Sequence, residues 1–513
     1  MASPDLLDTP TAEKRLRKIW PDWVEAVTSR NYQTPNTVTL RRLSPHSFLL
    51  HVRYFMTRQN LVPSASDPVA VLHVVYQFTP EPLGGTEVYV QSLVQEATSL
   101  GLRCAIAAPG GCNEHYQVAG VSVYRVAANL TTAQLYGEEN SDATARWVEI
   151  LQQTAPRILH IHARTPMLNS QVLRHARRLG IKVIYTVHTP TAFCQRGTML
   201  EFGVKPCNGL VTLNRCAQCA LHGLGVPKLA TQILTRLPTS VSRATSRIAP
   251  AKIAFVLSFR ARVKRAQQEQ SAFFAACDHI VAVCGWIEAA LKLNGIAAAR
   301  LSMNRQGLRS DMVQTCAPRA RLELAPLKVF ALGRCDRHKG FDLLIAAIKR
   351  CVLPVELDLC MSISSDQDRA LAEHLKTIAI GAKVRFHVNL SGEPLLSLFQ
   401  NSDLVAVPSV WMETGPLVVL EAFSQQLPVI GSRRGGIAEL VQHGKNGWLA
   451  PAGDVGAWTR ALDAIAQDRP ALERARANIG TVRTMKQVAI EHLSLYEQVL
   501  ARDNLLASPP LPK

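Results

Sequence analysis

Short apolar runs alternate with longer amphipathic stretches along most of the chain. Runs rich in valine and isoleucine lie at 71–76, 104–108, 121–126, 158–162 and 182–187, and several are followed by helical periodicity. Buried strands joined by crossover helices produce this rhythm, so a parallel, doubly wound sheet is predicted. The rhythm returns at 327–334, 404–407 and 428–431, which predicts a second sheet of the same kind. The expected organisation is an extension at 1–68, a first α/β domain at 69–325 and a second at 326–480, followed by a helix and tail at 481–513. The extension holds amphipathic fragments at 16–27 and 48–56 and no recognisable chemistry.

The densest chemistry lies at 403–454, whose core reads LVAVPSVWMETGPLVVLEAFSQQLPVIGSRRGGIAEL. The strand 404–407 ends at Pro408, and Pro416 suits a first helical turn because its missing N–H would lack a partner there. The first free amides and positive dipole end of that helix are expected at the carboxyl end of the strand, where open α/β sheets bind phosphates. Gly415 lets a ligand approach the backbone, and Gly435-Gly436 predicts a second turn into a helix at 437–441. Two anion-receptive turns side by side suit a diphosphate. Glu413 precedes the first helix and Glu421 falls in its second turn, so they reach different parts of a ligand; carboxylates suit paired sugar hydroxyls. Either glutamate alone would read as an ordinary acid at a helix start.

The run from Pro408 to Gly447 resembles the donor-binding signature of retaining GT-B glycosyltransferases of family four, whose hallmark is two glutamates with seven residues between them. The strand LKVFALGR, ending at Arg334, and Lys339-Gly340, which opens a helix with Phe341, Leu344, Ile345 and Ile348 on its apolar side, are similar to the family's Gly-Arg…Lys-Gly element. The resemblance implies a GT-B fold, two Rossmann-like domains facing across a cleft, and a nucleotide-diphosphate sugar donor, UDP- or GDP-linked. It implies that Glu421 holds the ribose and Glu413 the donor sugar. Arg334, Lys339 and the amides from Gly415 through Pro416 to Leu417 would hold the diphosphate, and configuration would be retained. These cations and the helix dipole would stand in for a catalytic metal. The loop Pro82 to Glu87 carries Gly84-Gly85 where the family has a glycine-rich loop facing the cleft. His188 follows the strand 182–187 and falls on the histidine of the family's His-Asp pair, but Thr189 stands in place of the acid. His160 and His162 end the preceding strand and are weaker candidates. Ile490, Leu493, Tyr496 and Leu500 form one side of a helix at about 488–501, which by resemblance packs back on the first domain.

Composition adds bounds. With 513 residues, 47% of them hydrophobic, the chain can build two cores. No apolar run reaches eighteen residues, and the first residues lack the apolar core of a secretory signal, so a cytoplasmic location is expected. Twelve cysteines then imply reduced thiols or a metal. Cys194, Cys207, Cys216 and Cys219 end in a C-x2-C pair in a loop-rich stretch, within insertions at about 190–268; a structural zinc is expected, with His222 a substitute ligand and free thiols the alternative. Similar cysteine-bearing insertions occur in a subset of the family. From 228 to 265 there are nine basic residues and no acid, with an apolar patch at 253–259, which reads as a solvated helix face or as a peripheral contact with an anionic membrane. The net charge of +18 points the same way and suits a glycan or lipid-linked oligosaccharide acceptor in bacterial surface-polysaccharide synthesis. A non-catalytic nucleotide- or polyanion-binding scaffold is the alternative. Nucleic acid is not expected, since few aromatics accompany the basic residues, and Gly84-Gly85 lacks the spacing of a dehydrogenase fingerprint.

Overall fold

The chain builds two sheets, each assembled around one central first strand. The structure, a computed structural model, describes residues 69–506 apart from 82–83, 128–130, 132–133, 237–250, 310–311 and 313–324. The extension at 1–68 and the tail beyond 506 lie outside the described residues.

The first sheet contains β1 (Val71–Val74), β2 (Cys104–Gly110), β3 (His115–Val118), β4 (Val121–Ala127), β5 (Ile158–Ile161), β6 (Lys182–Val187), β9 (His279–Ala282) and β10 (Leu301–Met303). Between β6 and β9 a small hairpin, β7 (Leu200–Glu201) and β8 (Lys205–Pro206), stands apart. The order is β10-β9-β6-β5-β1-β2-β4-β3, and every neighbour is parallel except the β3/β4 pair. β1, β5 and β9 are buried at every residue, as expected of strands covered on both faces.

The second sheet contains β11 (Leu327–Arg334), β12 (Val355–Ser362), β13 (Val384–Val388), β14 (Leu404–Val407), β15 (Val429–Ser432) and β16 (Gly447–Ala450). Its order, β13-β12-β11-β14-β15-β16, is fully parallel and repeats the dinucleotide-fold order 3-2-1-4-5-6. The order reverses between β11 and β14. Loops leaving those two strands therefore diverge to opposite faces and open a crevice at their carboxyl ends.

The helix Met485–Leu506 follows the second sheet in sequence but covers the first. Leu495, Tyr496 and Val499 pack on Val71, Ile158, Ile184 and Val281, while Met485, Val488 and Ala489 join Tyr89, Val90 and Leu93 of the helix Gly85–Ser99.

The basic run at 228–265 is described except for residues 237–250. Its second part is the helix Ala251–Ala276, in which Phe259 and Val263 bury against Ala217, Ala220 and Leu221. Arg262 lies over the Phe255 ring at 5.0 Å, and Arg265 pairs with Glu138 at 3.6 Å. Within the apolar patch at 253–259, Phe259 is thus buried and Phe255 finds ring partners in the protein, while Ile253 stays exposed. Among the described residues no helix is long and apolar enough to cross a membrane.

Candidate active site

Two loops meet at the crevice between β11 and β14. After Arg334 a short turn, Arg337–Lys339, is capped by Asp336, whose carboxylate accepts from the His338 amide at 2.8 Å. The hydrogen bond from the His338 ring is the largest of several effects that hold the Asp336 carboxyl down to about 2. Gly340, at φ 70°, ends the turn and opens the helix Phe341–Ile348, whose Phe341, Leu344 and Ile345 are buried. A Cβ at Gly340 would collide with the carbonyl oxygen of Pro408, the residue that follows β14. Glycine is required on both counts. The Val410 amide donates to the His338 carbonyl at 2.9 Å and fastens the second loop to the first.

This contact sets an ion pair. Lys339 Nζ donates to Glu413 Oε1 at 2.8 Å, and Ser409 Oγ donates to the same oxygen at 2.7 Å. Burial alone would raise the Glu413 carboxyl, but the charge and hydrogen bond of Lys339, with the Ser409 hydroxyl, outweigh it and hold the group below its ordinary value. Glu413 is therefore a buried anion at neutral pH.

The glycine pair after β15 plays a different part from the second anion-receptive turn expected. The Gly436 amide donates to the Glu413 carbonyl at 2.7 Å, and a Cβ at Gly435 would stand 2.7 Å from that same oxygen. Gly435-Gly436 is a seat on which the Glu413 loop rests, and its helix, Gly435–Leu440, is short. The other side of the seat comes from the first domain. Trp286 Nε1 donates to the Glu413 carbonyl at 2.8 Å, and Thr414 Oγ1 donates to the His188 carbonyl at 2.8 Å. Glu439 bridges the domains as well, accepting from the Gly285 and Trp286 amides at the start of the helix Gly285–Leu293 and from Arg305.

Beyond Gly415, held at φ 152°, Pro416 is the N-cap and the helix runs Leu417–Ser424. Pro416 carries no side-chain cap and the Val419 amide donates to the Pro416 carbonyl at 3.0 Å, so the amides of Leu417 and Val418 are the ones left to an anion. Glu421 lies one turn further on. Burial pushes its carboxyl up to about 7, against a smaller lowering by the Arg309 charge. Val283, Cys284, Arg305, Gln306, Thr414, Gly415 and Leu420 line a small hollow between the domains, beside these groups.

The sequence-predicted residues do not all share one place. Lys339, Glu413 and Gly415 share one loop junction, with the open amide of Leu417 beside it. Arg334 is 61% exposed at the end of β11, 3.9 Å from Asp336, and its charge is felt by the buried Glu87 of the glycine-rich loop. Glu87 closes that loop by accepting from the Gly84 amide at 3.1 Å, and Gly85 opens the helix Gly85–Ser99. Glu421 makes no direct contact with Lys339 or Arg334. His188 is buried under the Glu413 loop. Sequence reasoning missed Thr414, Trp286 and Glu439, which act through long-range contacts, and Ser409, whose partner Glu413 is four residues on; only Ser409, a buried polar residue just past the end of a buried strand, gave a local signal.

The four cysteines come from three elements. Cys194 follows the short turn Pro190–Ala192, Cys207 follows β8, and Cys216 and Cys219 lie on the helix Leu213–Gly223. All four line one pocket, and the Phe202 amide donates to Cys219 Sγ at 3.1 Å. Burial holds the Cys216 and Cys219 thiols above their ordinary value. The sulfurs do not meet at one point: among the described residues the one group of three candidate ligand atoms within 4.8 Å of one another is His73, His160 and His162.

Comparison with known proteins agrees with this architecture. Residues 83–308 match the family described as Glycosyltransferase Family 4, and residues 319–481 the family described as Glycosyl transferases group 1. The chain is similar to a D-inositol 3-phosphate glycosyltransferase of Corynebacterium urealyticum, 32% identical over 27% of this chain and 34% of that protein. It is also similar to the amylovoran biosynthesis glycosyltransferase AmsK of Erwinia amylovora, 27% identical over 36% and 48%. The chain thus spans about half or less of the length of these curated relatives. In fold it is similar to the sucrose-phosphate synthase of Thermosynechococcus elongatus, with a TM-score of 0.57 at 16% identity over 84% of this chain and 99% of that one. With both halves matched and the two sheets meeting at the Glu413 loop, the chain belongs to the family 4, group 1 glycosyltransferases and has their GT-B fold.

Proposed function

We propose that the protein transfers a sugar from a nucleotide-diphosphate sugar to a glycan or lipid-linked glycan, with retention of anomeric configuration. The observation that carries the reading is the Lys339–Glu413 pair, fixed at the switch point beside an uncapped helix start. In this reading the diphosphate lies across the open amide of Leu417, with Lys339 and Arg334 neutralising the charge that develops as the glycosidic bond breaks. Glu413 is kept ionised and accepts hydrogen bonds from hydroxyls of the transferred sugar. Glu421 accepts from the ribose diol. The hollow beside Gly415 and Gln306 is open for the acceptor to approach the anomeric carbon. Similarity to an amylovoran biosynthesis enzyme supports an acceptor in bacterial polysaccharide assembly. The test is transfer from an α-linked UDP- or GDP-sugar with the product anomer read by NMR: an α-linked product supports the reading, and a β-linked one removes retention.

We further propose a structural zinc at Cys194, Cys207, Cys216 and Cys219. Support comes from four thiols around one cavity and from the amide donated to Cys219 Sγ. An ion would draw the sulfurs together and order the hairpin β7/β8. Purified protein should carry one zinc per chain by elemental analysis, lost in Cys216→Ser; no zinc in the wild type would leave them as reduced thiols.

A further inference from the structure

Five buried histidines, His73, His160, His162, His188 and His492, gather behind the cleft. They divide into two kinds. His160 is fully used, with Nδ1 2.7 Å from Tyr496 Oη and Nε2 2.7 Å from Thr186 Oγ1, and His492 is tied outside the row, its Nε2 2.9 Å from Tyr89 Oη while its Nδ1 is buried without a partner. His73, His162 and His188 instead form a row. His73 Nδ1 is 3.0 Å from His162 Nε2, and His162 Nδ1 is 3.2 Å from His188 Nε2. The ring planes differ by only 21° and 32° with centroids 5.3 and 5.4 Å apart, so the rings meet edge to edge. Both ends are open: His73 Nε2 and His188 Nδ1 are buried without a hydrogen-bond partner. His188 is also the residue whose carbonyl accepts from Thr414, next to Glu413.

We propose that His162, backed by His73, is a positioning residue for His188: the row fixes which nitrogen of His188 carries hydrogen and makes Nδ1 a hydrogen-bond donor to an oxygen of the bound donor sugar. This rests on the transferase reading above. Burial keeps all three rings uncharged at neutral pH. A neutral imidazole donates through one nitrogen and accepts through the other, so the three tautomers are locked together. Either His188 Nδ1 carries hydrogen and His73 Nε2 is bare, or the reverse. Each arrangement leaves one buried N–H without an acceptor, which is unfavourable. A sugar oxygen at His188 relieves that cost in only the first arrangement, so binding selects it. The row thereby does for His188 what an adjacent carboxylate would do, without adding a charge, and accounts for a chain that has Thr189 in the acid's place. A metal shared by His73, His160 and His162 fits less well, because both His160 nitrogens already face hydroxyl groups.

The experiment combines selective 15N-histidine NMR of the full chain with a double-mutant cycle. With UDP-glucose or another bound donor, the wild-type His188 signal should show hydrogen on Nδ1, and His162→Phe should abolish that preference. In turnover, His162→Phe and His188→Phe should each lower kcat/KM by about 10- to 100-fold, and the double variant should be no worse than His188→Phe alone. His73→Gln serves in the same cycle if His162→Phe does not fold. Multiplying effects, an unchanged His188 tautomer in the variant, or a stoichiometric divalent ion lost with His73 would each overturn the proposal. If no nucleotide sugar is turned over, the transferase reading fails while the tautomers, read with the nucleotide alone or in the free protein, still decide whether the row exists.

Discussion

Lys339→Met is expected to damage stability and transfer together, and adding Glu413→Gln should restore only the first. The lysine faces a buried carboxylate at 2.8 Å, with side-chain exposures of 19% and 8%. Removing one partner of such a pair strands the other charge, typically at a cost of ~3–5 kcal/mol. Glu413→Gln then removes the stranded charge while keeping its shape and its contact with Ser409. The double variant should therefore melt within a few degrees of the wild type. Its kcat/KM should stay lower by about 10²- to 10³-fold, the usual penalty for losing a group aimed at developing charge. Thermal melts and initial rates on the same preparations check this. A double variant as unstable as Lys339→Met would mean that the pair is not an isolated charge problem, and normal turnover in either variant would remove both residues from the site.

Glu421→Gln should change the pH dependence of both folding and nucleotide affinity. The Glu421 carboxyl is pushed up to about 7 by burial, against 4.5 for an ordinary glutamate. Since the folded state holds this proton more tightly than the unfolded chain, the contribution to stability is full below about 4.5 and is lost as pH rises through about 7. Above that pH the ionised, desolvated group costs up to ~3 kcal/mol, less where water reaches it. Glu421→Gln should hence raise the melting temperature at pH 8 and leave it unchanged at pH 4. A ribose diol donates to the ionised form, so wild-type affinity for a nucleotide should rise by up to about tenfold per unit between pH 5 and 7 and level off above. In Glu421→Gln the affinity should be weaker and flat with pH. Calorimetric titration of UDP and GDP across that range reads the effect, and a pH-independent wild type would dissociate Glu421 from the ribose.

Much of this arrangement was legible because it is local. The strand 182–187 reads directly from its branched apolar residues, and the strand 404–407 followed by Pro408 from the abrupt end of its apolar run. Lys339-Gly340 was visible as a helix opening, but the reason for glycine was not: it lies in the approach of Pro408, 68 residues away. Gly435-Gly436 misled for the same reason. A glycine pair before a helix suits an anion, yet here its amide and its missing side chains serve the Glu413 loop. The packing of Phe255 and Phe259 was not visible because their partners, Tyr136 and the helix Leu213–Gly223, are remote in sequence. β12 and β13 were not picked out, since both mix charged and apolar residues and β13 lies at a sheet edge. The histidine row was hidden most completely. His73, His162 and His188 belong to three separate βα units, and only the parallel register of β1, β5 and β6 brings them into line.

The most direct test of the central claim is equilibrium binding of a panel of nucleotide sugars to wild type, Lys339→Met and Glu413→Gln, followed by calorimetry or thermal shift. Saturable binding of one UDP- or GDP-sugar at one site per chain, weakened at least tenfold in both variants while each remains folded, is the predicted result. Equal affinity in all three folded proteins, or binding of nucleic acid in place of any nucleotide sugar, would contradict it.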